Sequence, residues 1–329
     1  MARSCQIKSM DPQPQSPVFR SGFVALIGRP NVGKSTLLNR LVGQKVAITS
    51  PVAQTTRRRL RGVLTLPGGQ LIFVDTPGIH KPHHLLGERL VKSARDVIGE
   101  VDVVLLLMNG AIPAGRGDSF IVDLLQRSRA PVHVALNHWD LVKAQEAENQ
   151  LSHFRQFLSE SEQVDERQKL WPLHRVSALT GEGTDQLVQA LLMDLPEGPC
   201  LYPSETVSDQ SEETLLAELI REQVLHQTRE EVPHSVAVQI ERIVEENRAG
   251  KKTGKRVAVL ATVCVERQSQ KVIVIGRGGR MLREIGSGAR QQMEILLGCS
   301  VYLELFVKVV PHWRRNSARL AELGYGMEA

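Results

Sequence analysis

One short glycine-rich run has the residue types and spacing for binding a phosphate chain. Residues Gly28–Ser35 read G-R-P-N-V-G-K-S, which fits the pattern G-x-x-x-x-G-K-[ST]. Glycines let backbone N–H groups curl around a phosphate, and a helix beginning there adds the positive end of its dipole. Lys34 is expected to reach the β- and γ-phosphates, and the Ser35 hydroxyl to ligate Mg²⁺. The predicted nucleotide contacts of this run are Gly28, Arg29, Pro30, Asn31, Val32, Gly33, Lys34, Ser35 and Thr36.

Two later segments contain residues suited to holding Mg²⁺ and sensing the γ-phosphate. The motif Asp75-Thr76-Pro77-Gly78 ends a predicted strand, where Asp75 is expected to hold Mg²⁺ through water and the Gly78 N–H to contact the γ-phosphate. Thr55 and Thr56 lie in a polar segment before that strand. A threonine there completes the Mg²⁺ shell only when the γ-phosphate is present. The spacing favours Thr56 and leaves Thr55 open. The predicted catalytic residues are Lys34, Thr56, Asp75 and Gly78.

A third polar motif is suited to recognising a guanine base. Asn137-His138-Trp139-Asp140 follows an apolar run and differs from the usual Asn-Lys-x-Asp. Asp140 is expected to accept both guanine N–H groups, which adenine does not offer, and Asn137 to brace the neighbouring loops. His138 replaces a lysine whose stem lies along the base, so guanine preference is expected with altered affinity. Ser177-Ala178 is expected to bring a backbone N–H to guanine O6.

A second glycine-rich turn near the C-terminus has the pattern of an RNA-binding loop. Ile275–Leu282 reads I-G-R-G-G-R-M-L, which fits the GXXG loop of KH domains, a clamp for about four nucleotides of single-stranded RNA. One conflict accompanies it, because the β-branching of Lys271–Ile275 predicts a strand where a KH fold has a short helix. The predicted RNA contacts are Ile275, Gly276, Arg277, Gly278, Gly279, Arg280, Arg283 and Lys308.

The elements that position these motifs form two groups along the chain. In the first part, short apolar strands alternate with helical patterns, which predicts a mostly parallel sheet covered on both faces. The predicted strands are Phe23–Gly28, Leu71–Asp75, Val103–Met108, Val132–Asn137 and Leu173–Ser177. The predicted helices are Leu37–Val42, Leu86–Ile98, Phe120–Arg127 and Thr184–Leu192.

The second part reads as a small α+β domain behind a linker rich in proline, serine and aspartate. A helix is predicted over Glu212–Glu231, with Ser211 as its cap. A hairpin of Ser235–Val244 and Arg256–Glu266, with the loop Asn247–Gly254, is then followed by a long helix and a last strand. These last two elements are predicted at Arg280–Leu297 and Val301–Val310.

Composition and charge describe a two-domain protein of ordinary globular balance. The chain has 329 residues, of which 42% are hydrophobic and 23% charged. Residues 250–329 carry 14 Lys and Arg against 6 Glu, a net +8, and the rest of the chain carries 27 against 30, a net −3. A basic C-terminal part is typical of polyanion binding, and a solvated basic face is an equally good explanation.

Neither a membrane span nor a secretory signal is predicted. The longest apolar run, Val103–Met108, is far shorter than the roughly 20 residues that a span requires. The first twenty residues are polar, contain three prolines, and read as a disordered leader. Four cysteines are scattered without metal-ligand or redox spacing, which predicts reduced thiols in the cytoplasm. They are Cys5, Cys200, Cys264 and Cys299.

From Phe23 to Tyr325 the sequence closely resembles the Era family of bacterial ribosome-associated GTPases. The points of likeness are Gly28–Thr36, Gln54-Thr55-Thr56-Arg57, Asp75–Gly78, Leu195–Pro203, Val232–Val238, Glu266–Lys271, Gly276–Gly286 and Trp313-Arg314-Arg315. Its departures are His138-Trp139 and an extra-long leader. The resemblance implies an α/β fold, with a P-loop GTPase domain of mostly parallel sheet followed by a smaller α+β type II KH domain. The expected divisions are a leader at 1–20, the GTPase domain at 21–195, a linker at 196–211 and the KH domain at 212–329.

The resemblance also implies a function and partners. It implies a monomeric GTP-hydrolysing switch that uses GTP/GDP and Mg²⁺, binds the 3′ end of 16S rRNA and assists assembly of the 30S subunit. It further implies a cytoplasmic location, with peripheral association at the inner face of the cell membrane. An isoleucine, Ile79, stands where Ras-like sites place a water-orienting Gln, so water must be positioned by other means. In related GTPases an Asn at the position of Asn31 helps bind K⁺, which gives a K⁺ hypothesis here.

Several basic residues outside the two loops allow more than one interpretation. Lys308, Arg314 and Arg315 would extend the RNA track, or the last two would lie at a solvated helix end. Arginines 57, 58, 59 and 61 would contact RNA or project into solvent, the second being favoured. Two rival functions are a tRNA-modifying GTPase with a catalytic second domain, and an RNA-binding protein with a degenerate nucleotide domain. The first would need a reactive cysteine or cofactor site, and the second conflicts with an intact phosphate loop.

Overall fold

The computed structural model describes residues 18–52, 55–56, 59–79, 94–161, 171–248 and 254–323. Most of the predicted leader therefore lies outside the described residues, as do Cys5, Arg57, Arg58 and Tyr325. The same is true of residues 86–93 at the start of one predicted helix, and of residues 249–253 in the predicted hairpin loop.

The first part of the chain builds one six-stranded sheet in the order β2-β3-β1-β4-β5-β6. β2 pairs antiparallel to β3, and the other pairings are parallel. Apolar side chains of β1 alternate between two cores, with Val24 and Leu26 on one face and Ala25 and Ile27 on the other. The strands are β1 (Arg20–Gly28), β2 (Leu60–Leu66), β3 (Gly69–Asp75), β4 (Val103–Asn109), β5 (Val132–Asn137) and β6 (Leu173–Arg175).

Helices cover both faces of this sheet, which explains why its central strands are apolar on both sides. They are α1 (Lys34–Val42), α2 (described over 94–100), α3 (Arg116–Leu125), α4 (Ala147–Ser161) and α5 (Thr184–Asp194). Apolar residues of α1 and α5 join one core, and those of α2, α3 and α4 join the other. The predicted α/β class is confirmed, while β2 and α4 are elements that the sequence patterns did not reveal.

The segment predicted as a linker lies along the first sheet. Gln70 of β3 is fully buried and accepts backbone N–H groups of Leu201 and Tyr202 at 2.8 and 2.9 Å. Its side-chain nitrogen donates to the Tyr202 carbonyl at 2.9 Å. Further along, the Val63 N–H donates to the Val207 carbonyl at 3.0 Å. The connection is therefore held as a strap and does not behave as a free tether.

The second part builds a three-stranded sheet, in the order β7-β8-β9, with helices on one face. β7 and β8 form the predicted antiparallel hairpin, and β9 pairs parallel to β8. Its elements are α6 (Glu212–Gln227), α7 (Val232–Ser235), β7 (Ala237–Arg248), β8 (Gly254–Val265), α8 (Gln268–Ile275), α9 (Arg280–Leu297), β9 (Ser300–Val309) and α10 (Ser317–Glu322). The order of helices and strands is that of the predicted KH domain.

The strand predicted at Lys271–Ile275 is wrong, because these residues belong to helix α8. Two backbone N–H groups before the helix donate to the Gln270 side-chain oxygen, at 2.9 and 3.0 Å. Val274 is fully buried in the core of the second sheet. Capping and this tertiary contact override the β-branched composition.

Across the described residues, no helix is both long and apolar enough to cross a membrane.

Candidate functional site

The glycine-rich loop joins the end of β1 to the start of α1, and a lysine at its end bonds back to its first residues. Lys34 is 6% exposed, and its Nζ donates to the carbonyls of Gly28 and Arg29 at 3.1 and 3.0 Å. Gly33 has φ +92°, a left-handed conformation that turns the chain into the helix. A Cβ there would come within 2.2 Å of the Asn137 amide, so only glycine fits. Burial lowers the pKa of Lys34 to about 8, against the opposing charge of Asp75.

Three predicted metal-site residues converge beside this lysine. Asp75 Oδ2 accepts hydrogen bonds from Ser35 Oγ at 2.9 Å and Thr56 Oγ1 at 3.0 Å, and the two hydroxyl oxygens are 3.1 Å apart. Burial raises the pKa of Asp75, opposed by the charge of Lys34 and by both hydroxyl hydrogen bonds. Within the described part of the chain, Asp75 Oδ1 is buried without a hydrogen-bond partner. A buried carboxylate oxygen of that kind, flanked by two hydroxyls, fits a hard cation such as Mg²⁺.

The structure separates the two threonines that the sequence left as alternatives. Thr56 points into the cluster with Ser35 and Asp75, whereas the Thr55 hydroxyl donates to the Val52 carbonyl at 2.7 Å. Of the two hydroxyls, that of Thr56 therefore lies with Ser35 and Asp75 in the candidate metal-binding cluster.

The segment after Asp75 is held close to the glycine-rich loop. The Thr76 hydroxyl donates to the Leu26 carbonyl at 2.8 Å, and the Ile79 N–H to the Gly28 carbonyl at 3.0 Å. A Cβ on Gly78 would meet the Pro30 backbone at 2.7 Å, so the two loops touch at this glycine. Ile79 is 1% exposed and packs in the core. Its side chain is therefore not available to orient a water molecule.

The base motif follows β5 and is braced by Asn137. Its amide nitrogen donates to the Val32 carbonyl at 2.8 Å, and its amide oxygen accepts the Ala178 N–H at 2.9 Å. The Asn137 amide therefore links the glycine-rich loop to the Ser177-Ala178 segment, where it engages the Ala178 N–H. Asp140 is exposed, and Ser177 is buried and accepts the Thr180 N–H at 3.1 Å.

His138 lies over the glycine-rich loop. It adopts a left-handed backbone conformation with φ +62°. Its Nε2 is 3.7 Å from the position that a Cβ on Gly33 would occupy. The imidazole therefore lies next to Gly33 of the glycine-rich loop. The next residue, Trp139, is 8% exposed and packs in the core, which anchors the motif.

Two residues of the glycine-rich loop use their side chains elsewhere. The Arg29 guanidinium pairs with Asp118 of α3 at 3.0 Å, so this residue offers only its backbone to a phosphate. The Asn31 amide nitrogen donates to the Pro51 carbonyl at 2.8 Å, and its backbone has φ +63°. The loop, Thr55, Thr56 and Gly78 line a cleft with about 400 Å³ of empty space.

Some residues that support the site had no signal in the sequence. Asn39 of α1 accepts the N–H groups of Val46 and Ala47 at 2.9 and 2.8 Å, which fixes the start of the loop leading to Thr56. Arg40 donates to the carbonyls of Ala178 and Leu179 beside the base motif. Both residues lie on α1, at least one turn beyond the glycine-rich loop. Their polar side chains on one face of this helix are the signal that would have identified them.

The second glycine-rich turn has the open geometry of a backbone-binding loop. Gly276, Gly278 and Gly279 have φ of +69°, +60° and +74°, and the last two have open space where a Cβ would lie. Arg277 is exposed in the turn, three residues before the first residue of α9. Arg280 is exposed and pairs with Glu284 at 2.9 Å. Ile275 lies at the end of α8, before the turn.

The predicted RNA residues divide between the two faces of the second sheet. Arg283 is exposed on α9, and its guanidinium donates to the Gly278 carbonyl at 3.2 Å, beside the turn. Lys308 is exposed on β9, between Val307 and Val309, which pack in the core under the helices. Because side chains alternate along a strand, Lys308 lies on the open face, away from the turn. The structure therefore does not bring Lys308 together with the other predicted contacts.

The remaining basic candidates pair within the protein. Arg314 pairs with Glu266 and also donates to the His234 carbonyl at 3.2 Å. Arg61 pairs with Asp209 at 3.5 Å. Arg59 also pairs, with Glu100 at 3.9 Å. Arg315 is exposed and stays a candidate for RNA contact.

Comparison with known proteins identifies both parts of the chain. A family described as 50S ribosome-binding GTPase matches residues 23–138, and the KH domain family matches residues 231–314. A crystal structure of Era with MgGDPNP and nucleotides 1506–1542 of 16S ribosomal RNA is 39% identical, with a TM-score of 0.82. Aquifex aeolicus Era bound to GDP and AlF4⁻, in a variant form, is 38% identical with the same TM-score. Each similarity covers 94% of this chain and 100% of the other.

Similar sequences extend over nearly the whole chain. GTPase Era of Nostoc sp. is 55% identical over 316 residues, which cover 96% of this chain and 93% of that protein. GTPase Era of Synechocystis sp. is 52% identical over 316 residues, covering 96% of each chain. Identity at this level across both sheets, together with the phosphate loop and the GXXG turn, places the chain in the Era family of GTPases.

Proposed function

We propose that this protein is a GTP-dependent switch that binds the 3′ end of 16S rRNA and assists assembly of the 30S subunit. As a member of its family it is a P-loop GTP hydrolase that uses GTP, GDP and Mg²⁺. The observation that carries the proposal is the cluster of Ser35, Thr56 and Asp75 with one unpaired carboxylate oxygen. The same chain carries the exposed GXXG turn, and a relative was crystallised with both MgGDPNP and this RNA.

The residues of the nucleotide site have different roles, which follow from their positions. Ser35 and Thr56 would hold Mg²⁺ directly and Asp75 through water, and bound Mg²⁺ would neutralise charge on the β- and γ-phosphates. Lys34, already desolvated, gives its charge to the same phosphates. The Gly78 N–H responds to the γ-phosphate because this glycine already touches the phosphate loop. Thr56 and Gly78 thus lose contacts when the γ-phosphate leaves, which makes the switch.

Guanine selection rests on Asp140. Its exposed carboxylate would accept two N–H groups that guanine has and adenine lacks. Direct titration of the purified protein should therefore show much tighter binding of GDP than of ADP. Equal affinities would remove the base-recognition role of this motif.

Asn31 is proposed to help bind K⁺ beside the phosphates. Its amide nitrogen is used by the Pro51 carbonyl, so the amide oxygen is the atom that would meet a cation. Replacing KCl by NaCl at constant ionic strength should slow GTP hydrolysis. Rates that stay equal in the two salts would contradict this role.

The GXXG turn is proposed to clamp the RNA backbone. The RNA contacts supported by position are Ile275, Gly276, Arg277, Gly278, Gly279, Arg280 and Arg283. An R277D/G278D double variant places two negative charges at the exposed tip, where Gly278 has open space for a side chain. It should lose RNA binding and keep its GTPase rate. Loss of both activities would instead indicate misfolding, which circular dichroism would detect.

The switch itself is tested by the RNA affinity in two nucleotide states. RNA ending in the 16S 3′ sequence should bind more tightly with GDPNP than with GDP, because only GDPNP holds Thr56 and Gly78 through the γ-phosphate. Equal affinities would contradict a switch. The Lys34→Ala variant should lose GTP hydrolysis, and an unchanged rate would favour a pure RNA-binding protein.

The rival function of a tRNA-modifying GTPase finds no support in Cys264 of the second sheet. A tRNA-modifying second domain would need a reactive thiol, and Cys264 is 2% exposed. Burial raises the pKa of the Cys264 thiol, which keeps it protonated and poorly nucleophilic at neutral pH.

The proposed place of action is the cytoplasm, where rRNA is assembled into subunits. There the protein acts as a monomer, with peripheral contact to the inner face of the cell membrane. Fractionation should recover it with 30S particles at low salt and partly with membranes. Finding the protein in neither the 30S fraction nor the membrane fraction would contradict this location.

A further inference from the structure

The loop that leads to Thr56 is packed against the second domain. Ile48, at the middle of this loop, is 6% exposed and belongs to the same apolar core as Leu216, Leu219 and Ile220 of α6. Val52 packs against that core as well. The nucleotide-responsive loop is therefore supported by a helix of the RNA-binding domain as well as by its own domain.

A buried carboxylate of α6 accepts several donors of this loop. Glu222 is 1% exposed, and its Oε1 accepts the Thr49 N–H at 2.8 Å and the Thr49 hydroxyl at 3.3 Å. Its Oε2 accepts the Lys45 ammonium, which also donates to Gln292 of α9 at 3.1 Å. The His226 Nε2 lies 3.0 Å from the Thr49 carbonyl oxygen, so α6 contacts both backbone polar groups of Thr49.

The neighbouring arginine holds the residue immediately before Thr56. Arg221 is fully buried, and its guanidinium donates to the Thr55 carbonyl. Glu218, one turn earlier on α6, fixes this guanidinium through its Nε at 2.9 Å. Since Thr56 in turn donates to Asp75, one line of hydrogen bonds runs from α6 to the metal-binding cluster.

We propose that Glu222 and Arg221 are positioning residues for GTP hydrolysis, supplied by the RNA-binding domain. They hold the loop so that the Thr56 hydroxyl faces Ser35 and Asp75 before the metal ion binds. This inference rests on the proposed role of Thr56. Its consequence is reciprocal: if docking of α6 favours the metal-binding conformation of the loop, Mg²⁺ and GTP favour docking of α6 to the same extent.

The decisive variants are Glu222→Ala and Glu222→Gln, with Glu213→Ala as the control. Glu213 is exposed at the start of the same helix. Slowing the dissociation of fluorescent GDPNP requires Mg²⁺, and Glu222→Ala should raise the required Mg²⁺ concentration about tenfold. A tenfold change is what the loss of a charged hydrogen bond produces in a binding constant. It should also abolish the GDPNP-dependent protection of residues 45–56 from hydrogen exchange. Glu222→Gln keeps an acceptor for the Thr49 N–H and should lie between parent and alanine variant.

A role confined to packing would lower the melting temperature and leave the Mg²⁺ dependence and loop protection as in the parent. That result in Glu222→Ala, which removes every acceptor, would overturn the inference. Thr56→Ala, measured in parallel, separates this failure from failure of the proposed function. If Thr56→Ala also leaves the Mg²⁺ dependence unchanged, the role of Thr56 itself is lost. If only Thr56→Ala changes it, the α6 contribution alone is wrong.

Discussion

At the scale of single residues, the nucleotide site consists of groups that are costly to bury without a ligand. Lys34 and Asp75 are both buried, and burial moves both pKa values toward the neutral forms of the side chains. Asp75 keeps one oxygen without a described partner. A triphosphate with its metal ion supplies the missing charges, so much of the binding energy comes from satisfying groups that are already in place.

The lowered pKa of Lys34 predicts that GTP affinity depends on pH. The lysine is charged below about pH 8 in the free protein, and the phosphates favour its charged form. Above that pH, binding must take up a proton, so affinity should be flat up to pH 7.5 and fall about tenfold by pH 9. Titration calorimetry in two buffers of different ionisation enthalpy measures the proton uptake. An affinity that stays constant up to pH 9, with no uptake, would contradict the desolvated lysine.

Asn137 should matter for stability as well as for nucleotide binding. Its amide satisfies the Val32 carbonyl and the Ala178 N–H, and the residue is fully buried. Asn137→Ala leaves both groups unpaired, which should lower the free energy of unfolding by roughly 3 kcal/mol. The control is Asn109→Ala, because Asn109 ends the adjacent strand opposite Asn137 and its side chain accepts the N–H of the nearby Ala111 at 3.0 Å. Urea unfolding should show a clearly smaller loss for this control, and equal losses would refute the bracing role.

At the scale of elements, the sequence predicted those helices, strands and turns that hydrophobic periodicity and local motifs identify. Strands β1, β3, β4 and β5 were predicted because they contain apolar runs. The GXXG turn was predicted because its glycines lie close together in the sequence. Helix α4 escaped because only a narrow stripe of Leu151, Phe154 and Leu158 is buried on an otherwise polar surface. Strand β2 escaped because it is an antiparallel edge strand whose last three residues are half-exposed.

Contacts between distant parts of the chain had no local signal. Glu222 accepts from a residue 173 positions away, and Arg221 donates to one 166 positions away. The sequence around both reads as an ordinary helix, with a charged pair that is typical of a solvated face. Such residues become identifiable only when the two domains are placed together, which explains why the phosphate loop was predictable and its support was not.

Helix α8 depends on a single buried side chain at its start. Gln270 is 5% exposed and accepts two backbone N–H groups, whereas Gln268 of the same helix is exposed. Gln270→Ala should lower the free energy of unfolding by about 2 kcal/mol, because two partly buried backbone donors lose their acceptor. It should also weaken RNA binding, since α8 leads directly into the GXXG turn, while the GTPase rate stays unchanged. Gln268→Ala should behave as the parent, and a similar loss in that variant would remove the capping argument.

At the scale of the whole molecule, the two sheets are joined through both the strap at 196–211 and the loop packed on α6. A protein joined at two places should unfold as one unit, because neither core can open without exposing the other. Gln70 is fully buried, and both its amide oxygen and its amide nitrogen bond the strap, at Leu201 and Tyr202. Its amide nitrogen also donates to Thr65 of β2.

Gln70→Ala should therefore weaken the coupling between domains more than it weakens either core. Calorimetry of the parent should give one cooperative transition, and the variant two, with the calorimetric enthalpy exceeding the van't Hoff value. The control is Gln186→Ala, at an exposed position on α5, which should keep the single transition. If Gln70→Ala lowers the melting temperature and still unfolds in one step, the strap stabilises the first sheet only. The domains would then be coupled through the loop on α6 alone, where Glu222→Ala should split the transition instead.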